Sequence, residues 1–146
     1  MHTFTTDRLT GTIEVAVVGF WNVEHVQSFK AELLQELQKM SQYVTAPKTL
    51  YNYTNAAIQS QDVVAAMTAL AADPDLAGRR VAMYTDGLLA RMQAKRVSSV
   101  RADMQVFTDR ASAVRWLLRP AEVPTEPSPS PDRLTAVLAP FRVAIG

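Results

Sequence analysis

Few side chains in this sequence can do chemistry at neutral pH, and their spacing does not suit it. Among 146 residues there are two histidines and no cysteine. Without thiols there can be no disulfide, thiolate zinc site, iron–sulfur cluster or cysteine nucleophile. Two imidazoles cannot build a histidine-rich metal centre. His2 stands at the terminus, and His25 follows Glu24 on the polar side of a helical stretch, where both read as surface groups. Glu32 and Glu36 share a helix face at i, i+4, a pattern typical of a solvated face. No GxSxG elbow, HExxH pair, Walker lysine loop or GxGxxG turn occurs. The expectation is a protein that is not an enzyme and holds neither metal nor cofactor.

Charge is more informative. The formal net charge is +1, which argues against a dedicated nucleic-acid binder. Yet Arg79, Arg80, Arg91, Lys95, Arg96 and Arg101 lie in one stretch with a single acid, Asp86. On a helical wheel of about 100° per residue, Leu88, Leu89, Met92, Val97 and Val100 cover about half the circle. Arg91 and Lys95 fall outside that arc and Arg96 inside it. An arginine on an apolar face must snorkel, pair with a carboxylate, bind an anionic ligand or meet a partner. Thr85-Asp86-Gly87 leads into this helix, with Asp86 as its expected N-cap. Trp21, Tyr51, Tyr53 and Tyr84 are expected at or near strand ends. There they serve either as ordinary packing or as walls of a crevice for a small apolar ligand.

These residues depend on alternating elements to position them. Phe4–Leu9 and Thr12–Gly19 flank Thr10-Gly11 and predict a hairpin, with Ile13, Val15 and Val17 on one face. Val23, Val26, Phe29, Leu33, Leu37 and Met40 recur at helical steps after Asn22, an N-cap. A helix is expected over 23–42, with Trp21 and Val26 spaced as a hydrophobic staple. A short strand over 49–54 precedes a helix over 61–72 capped by Ser60, with Val63, Val64, Met67 and Leu70 inward. Strands over 81–85 and 104–107 alternate with helices over 88–100 and from Thr108 or Asp109 to Leu118. The order β-β-α-β-α-β-α-β-α predicts an α/β fold with a mixed, largely parallel sheet, an N-terminal antiparallel hairpin and about four helices.

The expected organisation is an α/β domain over 1–119, a Pro-rich linker over 120–132 and an apolar tail over 133–146. The stretch from Pro120 to Pro131 holds five prolines, whereas Leu134, Val137, Leu138, Phe141, Val143 and Ile145 make the tail apolar. Such a tail is expected to dock on its own domain or on a neighbouring subunit. No apolar run is long enough to span a membrane, and the N-terminus does not read as a signal peptide. Together with the lack of cysteine, this points to the cytoplasm.

Three segments together carry a resemblance. They are Gly19-Phe20-Trp21-Asn22 opening a long helix, the Arg91-Met92-Gln93-Ala94-Lys95-Arg96 helix, and Val106-Phe107-Thr108-Asp109 leading to Ala113-Val114-Arg115-Trp116-Leu117. Residues 3–119 resemble bacterial SpoIIAA-like proteins, small relatives of the STAS and CRAL-TRIO folds. The resemblance implies a non-enzymatic regulatory or protein-interaction module, with a protein partner or a homo-oligomer. The CRAL-TRIO side of the group implies the alternative of a small apolar-ligand or lipid-binding protein. In anti-anti-sigma factors of the group, a serine at a helix start after a strand is phosphorylated. That position falls within 55–60 here, where Ser60 is the only hydroxyl. The aspartate–serine pair of that pattern is absent, and Ser60 also suits a plain N-cap. The binding candidates are therefore Arg91, Lys95, Arg96, Trp21, Tyr53 and Tyr84, with Ser60 as the modification candidate.

Overall fold

A computed structural model describes residues 1–120. The apolar tail 133–146, and all of the linker after Pro120, lie outside the described residues. Five strands and four helices follow the predicted order: β1 (His2–Asp7), β2 (Thr12–Gly19), α1 (Val23–Met40), β3 (Lys48–Ala56), α2 (Gln61–Ala71), β4 (Val81–Tyr84), α3 (Leu88–Ser98), β5 (Met104–Phe107) and α4 (Arg110–Leu117). One 3-10 turn over Pro74–Leu76 separates α2 from β4. The sheet order is β1-β2-β3-β4-β5. β1 runs antiparallel to β2, and the remaining pairs are parallel.

This order explains the layers. Each parallel crossover advances in the same direction across the sheet, and right-handed crossovers then place every connecting helix on one face. α1, α2 and α3 accordingly share a core with Ile13, Val15 and Val17 of β2, which are almost fully buried. α4 packs Ala113 and Leu117 on the opposite face against Leu50, Ala82 and Tyr84. Because the order never reverses, this sheet lacks the switch point at which open α/β sheets usually form their ligand crevice.

The helix starts follow from capping chemistry. The side chains of Asn22, Ser60 and Asp109 accept the backbone N–H of His25, Val63 and Ser112. The cap expected at Asp86 is different: Gly87 is the N-cap and has no side-chain bond, while Thr85 Oγ1 accepts the Gly87 N–H. The hairpin turn needs Gly11, which sits at φ +70° with a Cβ-sized space already occupied by Val44.

Candidate functional site

The loops at the carboxyl ends of β2 and β3 meet helix α3 at one glutamine. Between Ala16 and Val18 the β2–β3 register shifts, a bulge that redirects β3 toward its loop. There Gln59, buried at 8% exposure, accepts the Trp21 N–H at 2.9 Å. Its side-chain amide donates to Gly19 O and Ala57 O, both at 2.9 Å. The Gln59 N–H donates to Gln93 Oε1, and Gln93 Nε2 donates back to Gln59 O, both at 2.9 Å. One amide pair therefore locks the β2–α1 loop, the β3–α2 loop and α3 together. Each buried polar group finds a partner, as a buried network requires. A glutamine in a loop, like Gln59, or on a helix, like Gln93, carries no motif signal, so sequence reasoning missed both.

Around this lock is an exposed apolar rim. Phe20 is 79% exposed, Leu88 63% and Leu89 61%, with Met92 and Ile58 about half exposed. Here the sequence expectation fails. The helical wheel makes Leu88, Leu89, Met92, Val97 and Val100 the packed arc of α3; Val97 is buried as expected, but the other four face outward, and Ala94 and Ser98 are buried in their place. The reason is steric. Small residues let α3 approach α2 and the sheet closely, so the large side chains on the other side stay in solvent. Arg96 is consequently an exposed residue beside Met92 rather than a cation on a buried face. Arg91, Lys95 and Arg96 have no side-chain hydrogen bond or carboxylate partner among the described residues.

The aromatic candidates separate. Trp21 is buried, stacks on His25 at 4.1 Å between ring centres and donates its indole N–H to Met1 O. Tyr51 and Tyr53 join Trp21 in lining an apolar cavity of about 40 Å³ between the sheet and the helices. The Tyr53 hydroxyl reaches only Met67 Sδ, at 3.9 Å. Burial pushes both phenols well above their ordinary pKa. Tyr84 belongs to the α4 face, where its hydroxyl donates to Glu14 Oε2 at 3.0 Å. Burial and that bond push its pKa up to about 12. Arg110 holds the same Glu14 carboxylate at 2.7 Å and keeps its pKa below the usual range. Three of the four aromatics therefore line one cavity, and Tyr84 stands apart on the α4 face.

The histidines also differ from expectation. His2 is part of β1, with a side chain only 10% exposed, wedged against Phe4, Trp21 and Phe29. Its Nδ1 lies 2.8 Å from His25 Nε2, and its Nε2 lies 2.9 Å from Glu32 Oε1. This chain pins β1 to α1, so neither ring is a plain surface group. Ser60 is exposed at the start of α2, next to Gln59, with its Oγ accepting the Val63 N–H at 3.4 Å. No group of three or more metal-ligating side chains occurs among the described residues.

Comparisons with known proteins agree on architecture. No family model matches the chain, and no curated protein matches it. A solved protein of the DUF3478 family from Shewanella loihica PV-4, described as having a SpoIIAA-like fold, superposes with a TM-score of 0.59. At 17% identity, the match covers 80% of this chain and 93% of that one. The chain has a SpoIIAA-like fold. The anti-sigma factor antagonist SpoIIAA in its unphosphorylated form superposes with a TM-score of 0.52 at 16% identity, over 78% of this chain and 96% of that one. The SpoIIAA-like fold accounts for the predicted sheet and its hairpin. No helix among the described residues is long and apolar enough to cross a membrane.

Proposed function

We propose that this chain is a non-enzymatic regulatory module of the cytoplasm that docks a protein partner on the rim at the carboxyl edge of its sheet. The observation that carries this reading is the outer face of α3. It presents Leu88, Leu89 and Met92 to solvent, flanked by Arg91, Lys95 and Arg96 without carboxylate partners among the described residues, with Phe20 and Ile58 exposed on the two loops that Gln59 and Gln93 tie to α3. Isolated exposed apolar side chains are ordinary, but a contiguous apolar strip bordered by cations has the make-up of an interface. The antagonist SpoIIAA, whose fold this chain shares, supports a regulatory role. Ser60 is placed to modulate docking, since a phosphate at the N-terminus of α2 would add negative charge beside the Gln59 lock.

The test is quantitative affinity capture with wild type, Leu88→Glu/Met92→Glu and Arg91→Glu/Arg96→Glu. The reading expects one protein retained by wild type and reduced at least tenfold by both double variants, with unchanged melting temperatures. Equal capture by all three would refute it. A second reading, a carrier of a small apolar or anionic ligand, draws on the cavity beside Tyr51 and Tyr53. A volume of about 40 Å³ holds roughly three waters, so a lipid would have to part α2 from α3. Native mass spectrometry separates the two readings, because a carrier would retain an added mass.

A further inference from the structure

We infer that the exposed face of α3 is covered, when no partner is bound, by the chain's own segment 133–146. This rests on the reading of that face as a docking surface and adds the means by which it is regulated. Three observations support it.

The first is chemical fit. In the segment, Leu134, Val137 and Leu138 stand at i, i+3 and i+4, ahead of Pro140 and the apolar Phe141. That spacing gives one helical stripe. The α3 face offers a matching strip in Leu88 and Met92, one helical turn apart, with Leu89 beside them. An apolar stripe laid into an apolar strip is a standard mode of segment recognition.

The second is reach. Arg80, immediately before β4, donates its guanidinium to Arg119 O and Trp116 O, both at 2.9 Å. The described chain therefore ends at the amino edge of β4, whereas α3 begins just past the carboxyl end of the same strand. Four strand residues span only about 13 Å. Residues 120–132 would extend about 40 Å as polyproline, or about 20 Å on average as coil. Because α4 and α3 lie on opposite faces of the sheet, the path is longer than the strand, and the extended linker is what would carry Leu134 around the sheet edge to α3. A tether of this length sets a local concentration on the order of millimolar. Even an intrinsically weak contact would then be mostly formed.

The third is charge. Residues 120–132 carry Glu122, Glu126 and Asp132 and no lysine or arginine. The linker acids thus bring the complementary sign to Arg91, Lys95 and Arg96, whereas the segment itself carries Arg133 and Arg142 and no acid.

The absence of native cysteines makes the test direct. Leu88→Cys and Leu138→Cys are introduced together in the full chain and treated with a short bis-maleimide at low protein concentration. The control pairs Leu138→Cys with Gln38→Cys, an exposed position near the carboxyl end of α1. Gln38 lies near the carboxyl end of α1, toward the amino ends of the parallel strands, the end at which Arg80 holds Arg119. The expected result is an intramolecular cross-link in the Leu88→Cys pair formed at least tenfold faster than in the Gln38→Cys pair, and abolished by adding Phe141→Glu. Equal rates in both pairs, or no cross-link, would overturn the proposal. Cross-linked dimer in place of monomer would overturn it in favour of a second copy on this face. Failure here leaves the partner-docking reading standing if capture still depends on Leu88 and Met92. If both readings hold, Phe141→Glu raises partner affinity several-fold in the full chain.

Discussion

Replacing Gln59 with alanine should cost more than any other change to a polar side chain near the carboxyl edge. The substitution deletes three side-chain hydrogen bonds, from the Trp21 N–H and to Gly19 O and Ala57 O, each of 2.9 Å. Gly19 O keeps the Ala57 N–H at 3.2 Å, but the Trp21 N–H loses its acceptor beside a buried indole. At about 1 kcal/mol per neutral bond, the loss is about 3 kcal/mol, with the orphaned amide setting the upper part of the range. For a fold of this size that corresponds to a fall in Tm of about 12 °C. The Gln93 contacts go to the Gln59 backbone, so they remain available in the variant. Urea denaturation followed by circular dichroism would read the midpoint, with an unchanged slope showing that only stability moved. Gln59→Glu separates donor from acceptor. It keeps an acceptor for Trp21 but sets a carboxylate against two carbonyl oxygens, so its stability should recover as pH falls and the group protonates. A loss below about 1 kcal/mol in Gln59→Ala, or no recovery of Gln59→Glu with acid, would refute the lock as described.

Further outcomes follow from the same geometry. Leu88→Glu and Met92→Glu should each change stability by less than about 0.5 kcal/mol, since both side chains are exposed, whereas Val97→Glu should prevent folding; thermal melts decide it. Gly11→Ala should cost about 2 kcal/mol or more, because its Cβ would stand 2.7 Å from Val44 Cγ2 at a positive φ. Burial, the N-terminal charge and His2 hold His25 below its ordinary pKa. The unfolded chain then takes up a proton that the folded chain refuses, so stability should fall as pH drops below about 6.5. His25→Gln should flatten that slope between about pH 7 and 5.5 in urea titrations. The bond from Arg110, which lowers Glu14, acts in a separate and more acidic window: its contribution is present above the ordinary carboxylate pKa and is lost as pH falls through the depressed value.

The alternation of Ile13, Val15 and Val17 and the three- and four-residue steps from Val26 to Met40 were enough to read β2 and α1, because one strongly apolar face must be buried whatever packs on it. Asn22, Ser60 and Asp109 likewise declared their helix starts, since a cap acts within three residues of itself. With the crossover rule, these local signals determined the sheet and its hairpin. Where they misled, the deciding contact was distant in sequence. α3 buries Ala94 and Ser98 rather than its leucines, because close approach to a neighbouring helix selects small residues and no hydrophobicity pattern states which neighbour will come. His2 and His25 looked like surface groups until β1 and α1 brought their rings within 2.8 Å of each other. Gln59 looked like loop filler until two loops and α3 converged on it. The sequence by itself settled that these 146 residues hold no thiol chemistry and how the described strands and helices alternate, since both follow from residue type and short-range spacing. Only the tertiary structure decided which apolar side chains remain in solvent, because that depends on which surfaces the packed elements leave uncovered.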